Sequence, residues 1–258
     1  MYNRLAENIG KRILFVIDEI GSITQLFLST CYNIFSGKVH PRLIFEQMSK
    51  IGIDSLPIAL TSAFFVGMVF AVQIGTEFVK FGASKYIGGV MGIAVARELA
   101  PALTGIVIAS RVAAAIAAEL GTMNVTEQID AIKALGSNPI RYLVAPRFVA
   151  CTLMMPLLTI LANILCFFGG YLVVVFLIHV NSVDYMTSAQ HFLKAGDIYG
   201  GIAKSFIFGM IISIIACYRG MKTRGGAKGV GEATTSSVVT SLIALFIFNY
   251  FLSVLFFK

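Results

Sequence analysis

The chain has 258 residues, 57% of them hydrophobic and 13% charged, and its 20 Lys and Arg against 13 Asp and Glu leave a formal net charge of +7. Soluble domains carry about 25% charged residues, so a chain with a mean hydropathy of +0.86 is excluded from the ordinary soluble class and reads as an integral membrane protein. Cys31, Cys151, Cys166 and Cys217 show no CxxC spacing and His40, His179 and His191 are far apart, so neither a disulfide framework nor a metal site is expected.

The opening "MYNRLAENIGKR" is too polar and too evenly charged for a secretory core, and no cleaved signal peptide is expected. Leu5, Ile9, Ile13, Val16, Ile20, Ile23 and Phe27 then recur at helical spacing, interrupted by Arg4, Glu7, Lys11, Arg12, Asp18 and Glu19. That pattern suits a helix lying in the cytoplasmic interface. The alternative, a sixth span over residues 20–35, is weakened by Ser22, Thr24, Gln25, Ser29, Thr30 and Asn33. "HPRLIFEQMSKIGIDSLP" follows as a short elbow helix, with Asp54 or Ser55 as the cap of the first span and Pro57 in its opening turn.

A spanning helix needs about 20 mostly apolar residues, and five stretches qualify, near 54–76, 88–119, 147–179, 198–218 and 235–257. The second and third contain no polar turn at which to reverse, so each is one long helix, tilted or kinked, with Pro101 and Pro156 as the kink sites. With the N-terminus in the cytoplasm, the inside segments hold Arg4, Lys11, Arg12, Lys38, Arg42, Lys50, Lys133, Arg141, Arg147, Arg219, Lys222, Arg224 and Lys228. The outside keeps Lys80, Lys85, Lys194 and Lys258. The positive-inside rule therefore predicts a cytoplasmic N-terminus and a C-terminus on the far side. The organisation is interfacial amphipathic helices over 1–53 and a five-span domain over 54–258.

The second span, "GIAVARELAPALTGIVIASRVAAAIAAELG" from Gly92 to Gly121, carries Arg97, Glu98 and Arg111. Each charge at a bilayer centre costs roughly 2.5–3.5 kcal/mol on insertion scales. Adjacent helical residues do not face each other, so Arg97 and Glu98 each need a separate partner. One arrangement pairs Arg97 with a carboxylate on another helix, such as Glu77, and Glu98 with Lys204 of the fourth span. The other has Arg97, Glu98, Arg111 and Lys204 lining a cavity, while Glu119 marks the cytoplasmic end of the helix. Gly105, Ala109, Ala113, Ala117 and Gly121 form a stripe of small residues, preceded by Gly88 and Gly92, which lets another backbone approach, from the same chain or from a second copy.

The loop "ELGTMNVTEQIDAIKALGSNP" predicts a short amphipathic helix. Asn124 and Glu127 have capping-box spacing, Val125, Ile129, Ile132 and Leu135 form an apolar face, and Gly136 followed by Pro139 ends it. Such a helix floats on the membrane surface or docks its apolar face into a groove on a soluble partner. Residues 220–232, "GMKTRGGAKGVGE", read as a flexible cytoplasmic connection, with contact to anionic headgroups or to a partner ATPase as the alternative. No GxxxxGK[ST] phosphate loop occurs, so any ATP chemistry belongs to another chain.

The run "ARELAPALTGIVIASRVAAAIAAELGTMNVTEQIDAIKALGSNPIRYLVAPR" closely resembles the signature region of the MlaE family of ABC-transporter permeases, and the span layout resembles it over essentially the whole chain. "TEQIDAIKALGSNPIRYLVAP" is also similar to the coupling loop of ABC importer permeases, with Asp130, Ala131, Gly136 and Pro146 filling the pattern. The resemblance implies a homodimer bound to two cytoplasmic ABC ATPase subunits that carry ATP and Mg, a STAS-domain subunit and a periplasmic ring of MCE-domain subunits. No cofactor is implied for this chain. It implies glycerophospholipid as substrate, moved between the inner and outer membranes of a Gram-negative bacterium, and a location in the inner membrane.

The fold expected is thus all-α: an N-terminal interfacial helix, five transmembrane helices and a cytoplasmic coupling helix between the second and third spans. The coupling residues are Glu127, Ile129, Asp130, Ile132, Leu135 and Gly136. Arg97, Glu98, Arg111 and Lys204 are the groups of the lipid cavity, the arrangement preferred because Arg can hold a phosphate bidentately. An ion- or proton-coupled secondary transporter is the alternative, but five spans do not divide into two inverted halves. No elbow serine, paired metal ligands or catalytic histidine inside a span supports an enzyme, and no nucleic-acid partner is expected.

Overall fold

The computed structural model describes residues 2–36 and 39–258, and every regular element among them is helical. The side chains of Leu5, Ile9, Ile13 and Val16, on which the amphipathic reading partly rests, and residue Lys38 lie outside the described set. Helix α1 (Tyr2–Phe35) is continuous through residues 20–35. Helix α2 (Pro41–Gly52) passes through one 3-10 turn into α3 (Leu56–Lys80). Helix α4 (Ile87–Ala94) runs through a π-helical segment, Val95–Leu99, into α5 (Ala100–Val125), and the loop helix is α6 (Gln128–Ala134). A second π-helical segment, Ile140–Val144, opens α7 (Ala145–Leu172) and a third, Val173–Leu177, closes it. Helices α8 (Ser182–Phe192), α9 (Ala195–Met221) and α10 (Gly226–Phe257) complete the chain.

Among the described residues, five continuous stretches are long and apolar enough to cross a membrane: Pro41–Lys80, Ser84–Val125, Ile140–Leu177, Ala195–Met221 and Gly226–Phe257. They are the five spans the composition predicts, each beginning earlier in the chain than predicted. Of the two expected kink sites, Pro101 follows a π-helical turn and Pro156 marks no break. α7 runs unbroken through Pro156, whereas π-helical turns stand immediately before Pro101 and Pro146. A proline removes one N–H and crowds the carbonyl four residues back, and a widened turn relieves that crowding.

Two further expectations are corrected. Residues 226–232 are helical, so the connection between α9 and α10 shrinks to residues 222–225, turned by Gly225 at φ 88°. Ser55 stands before α3, but its hydroxyl makes no cap bond; it accepts Arg111 Nη1 at 2.7 Å instead.

The second and fourth spans form the centre, with 56% and 61% of their apolar windows buried against 28% and 17% for the first and fifth. The small-residue stripe explains this. Gly105 meets Leu245 of α10 and Phe208 of α9, Gly121 meets Thr223, and the Ala113 carbonyl accepts Ser237 Oγ of α10 at 3.2 Å. All five stripe positions are buried within the chain, and Gly88 likewise packs on the Tyr185 backbone of α8. In exchange, α3 and α10 turn Phe65, Val69, Phe246, Tyr250, Phe251 and Leu255 outward.

Gly201 brings α9 into close contact with the second span. A Cβ there would strike the Ala96 carbonyl in the π-helical segment and touch the Pro101 ring, and neither is free to move. Gly201→Val is expected to push α9 off the segment at a cost of about 1–3 kcal/mol, read as a lower unfolding temperature in detergent, whereas Gly196→Val, which meets nothing within 4 Å, should leave it unchanged.

Candidate functional site

The π-helical segment and Gly201 together build a polar node inside the bundle. Pro101 cannot donate to the carbonyl of Arg97, and Lys204, one turn beyond Gly201, donates to that carbonyl at 3.0 Å. Its ammonium also donates to Glu98 Oε1 at 2.9 Å and Ser253 Oγ at 2.8 Å, so all three protons have acceptors. Glu98 collects Ser253 Oγ at 2.7 Å and Asn249 Nδ2 at 3.2 Å from α10. Five polar groups from three helices thus close on one another.

Arg97 pairs with Asp197, through Nε at 2.9 Å and Nη2 at 2.8 Å, and not with Glu77, which is taken by Lys80 at 2.8 Å on its own helix. The other Asp197 oxygen accepts the Lys194 backbone N–H at 2.9 Å, so one carboxylate both caps α9 and holds Arg97. Phe257, at the end of α10, stacks 4.8 Å from the Arg97 guanidinium. The Glu98–Lys204 pairing matches one of the two arrangements read from sequence. Lys204 is fully buried, so it cannot line a cavity; Arg97 and Glu98 keep 32% and 41% of their side chains accessible and can.

Arg111 lies near the middle of α5. It donates to Ser55 Oγ and sits 3.6 Å from Asp54, beside a cavity of about 250 Å³ that Gln47, Lys50 and Glu119 also line. Glu119 is bound by Arg147 of α7 at 2.7 Å and faces Lys50 at 3.6 Å. Arg147, itself buried, also donates to the Leu143 carbonyl at 2.8 Å, inside the second π-helical segment. The α5–α7 pair is therefore clamped on both sides of the loop that carries α6.

The end of α6 is as predicted: Gly136, at φ 74°, and Ser137 return their N–H groups to Lys133 and Ile132. Its start is not. Val125 still belongs to α5, Glu127 adopts left-handed backbone, and Asn124 makes no capping box because its side chain donates to the Thr223 carbonyl at 2.9 Å. The apolar face is also divided. Ile129 is buried in the hydrophobic core of the bundle and Ile132 packs against it, while Leu135 is 82% exposed. Glu127, Asp130 and Gly136 are exposed, with Asp130 tied to Lys133 at 2.8 Å.

Asp197, Asn249, Ser253 and Arg147 were not singled out from sequence. Asp197 stands just outside the predicted fourth span, yet it is the sole acid between Asp184 and Glu232. Asn249 and Ser253, four residues apart in an apolar run, are the signal for the α10 contribution.

The description "Permease MlaE" fits residues 44–255 as a family. The chain belongs to the MlaE permease family. A probable ABC transporter permease of Synechocystis is 49% identical over 91% of this chain and 88% of its own. One of Rickettsia felis is 43% identical over the full length of both. The Arabidopsis thaliana protein TRIGALACTOSYLDIACYLGLYCEROL 1, chloroplastic, is 44% identical over 88% of this chain and 65% of its own length. The MlaE-family match takes in both the charged node and the α6 loop. In this permease, removing Glu98 strands a buried ammonium, whereas removing Lys204 leaves a carboxylate that still reaches the surface. Breaking a buried pair from one side costs about 3–5 kcal/mol, so Glu98→Ala should lower the unfolding temperature more than Lys204→Met does. The double variant should be more stable than Glu98→Ala alone, as read by thermal unfolding of the purified MlaE-family permease.

Proposed function

We propose that this ABC-transporter permease moves glycerophospholipids between the inner and outer membranes of a Gram-negative bacterium and so maintains outer-membrane lipid asymmetry. The reading is carried by full-length similarity to MlaE-family permeases and supported by a relative named for a glycerolipid. In this account the chain sits in the inner membrane with its N-terminus in the cytoplasm. Residues 1–53 form the interfacial part and 54–258 the permease unit. Two copies face each other, an ABC ATPase dimer supplies hydrolysis of ATP with Mg, and a STAS-domain subunit and a periplasmic MCE-domain ring complete the assembly.

The accessible faces of Arg97, Glu98 and Arg111 border the lipid cavity between the two copies, with Lys204 behind Glu98 as its counter-ion. A guanidinium offers a phosphate two parallel hydrogen bonds. Coupling runs through the exposed part of the α6 loop, from Glu127 and Asp130 to Leu135 and Gly136, while Ile129 and Ile132 anchor that loop to the bundle. The division of roles follows from burial: a side chain packed in its own core is not available to a partner.

Reconstitution with the ATPase into vesicles holding labelled phospholipid tests the reading. Lipid movement should require ATP and be indifferent to collapse of ion gradients, and Leu135→Asp should reduce it at least tenfold with the permease still folded. Movement driven by an ion gradient without ATP would establish a secondary transporter instead.

A further inference from the structure

A cavity of about 380 Å³ lies between α1 and the end of α9, within the range of roughly 300–1,000 Å³ of small-molecule sites. Ser22, Gln25 and Ser29 wall it on one side of α1, at spacings of three and four residues that place them in one stripe. Tyr218 and Lys222 wall it from α9, and Leu26 and Met221 provide apolar lining. No acidic residue lines it.

The polar groups of this cavity lack the partners that others nearby have. Thr24 and Thr30 of α1 turn their hydroxyls back onto the carbonyls of Ile20 and Leu26 at 2.8 and 2.7 Å, as hydroxyls on helices do. Ser22, Gln25 and Ser29 make no side-chain hydrogen bond among the described residues. Arg219 is matched by Glu19 at 2.5 Å, with Thr240 as a further acceptor, and Lys228 faces Glu232 at 3.9 Å. Lys222 has no carboxylate within ion-pair distance among the described residues; it donates to Tyr218 Oη at 2.7 Å. That leaves the ammonium two protons, and leaves the Tyr218 hydroxyl its own.

The surface of α1 favours a lipid as the source of an anion. Leu14, Ile17, Ile20, Leu28 and Phe35 are exposed while the polar stripe turns toward the cavity, the reverse of a helix packed in a water-soluble protein. An amphipathic helix so arranged lies at the boundary of headgroups and acyl chains, where a cation attracts anionic lipid.

We propose that this cavity binds the phosphate group of an anionic glycerophospholipid resident in the surrounding leaflet. Lys222 and the Tyr218 hydroxyl hold the phosphate oxygens, Ser22, Gln25 and Ser29 meet the rest of the headgroup, and the acyl chains leave along the apolar outside of α1. The lipid joins α1 to α9 and is separate from the lipid that is transported, so the site stands whether or not the transport reading does. Free phosphate shares the chemistry of the headgroup but lacks the chains.

Native mass spectrometry of the delipidated full chain in complex with its ATPase, titrated with phosphatidylglycerol, phosphatidylcholine or inorganic phosphate, tests the site. The wild type should take up one phosphatidylglycerol per chain at least tenfold more tightly than phosphatidylcholine. Lys222→Gln should erase that preference and Lys222→Arg keep it. Ser29→Leu, which fills the wall without changing charge, should lower phosphatidylglycerol occupancy. Each variant is to retain the wild-type unfolding temperature when delipidated, so that loss of lipid is not loss of fold. Equal binding of the two lipids by the wild type, or an undiminished preference in Lys222→Gln and Ser29→Leu, would overturn the proposal. So would displacement of phosphatidylglycerol by millimolar inorganic phosphate, which would assign the site to the free anion.

Discussion

An ammonium group buried in a membrane protein must find acceptors for its three protons within the protein, and Lys204 finds them in one carbonyl, one carboxylate and one hydroxyl. The rest of the central bundle is arranged around that requirement. Pro101 frees the Arg97 carbonyl by lacking the N–H that an α-helix would supply, and the π-helical turn before it widens the backbone. Gly201 lets α9 come close enough for the next turn to place Lys204 there. Glu98 then recruits Asn249 and Ser253, which brings α10 against the same point.

The consequence is a bundle with a rigid charged centre and apolar flanks. Three helices that pack through small residues gain little from hydrophobic sorting, because lipid tails are as apolar as leucine. The small residues permit close packing but do not specify a register. A directional network at one level does, and the Arg97–Asp197 pair fixes a second level at the start of α9. At the other end, Arg147 and Glu119 join α5 to α7 beside the α6 loop, so both long helices are tied together at the root of that loop.

Much of this was legible in the chain. Composition and length identify five spans because the apolar runs are long and the polar gaps unambiguous. The Glu98–Lys204 pairing was one of two arrangements open, since an unpaired charge in hydrocarbon is so costly. Its geometry was not legible: the partner of Arg97 sits on the first turn of α9, where a hydropathy ruler ends, and sequence alone does not separate it from another carboxylate such as Glu77. The start of α6 was misread because Asn124 has capping-box spacing yet spends its side chain on the Thr223 carbonyl, a tertiary contact that local pattern cannot show. Likewise the apolar stripe of α6 carries no mark separating Ile129, which packs inward, from Leu135, which does not.

Lys204, held by three acceptors inside the bundle, serves the protein and not the substrate. An electron cryomicroscopy map of the permease in lipid nanodiscs, with its partners bound, tests this directly. Side-chain density should join Lys204 to the Arg97 carbonyl, Glu98 and Ser253, with no lipid density touching the ammonium. A Lys204 side chain turned away from Glu98 into a lipid-filled cavity, with headgroup density against it, would contradict the account.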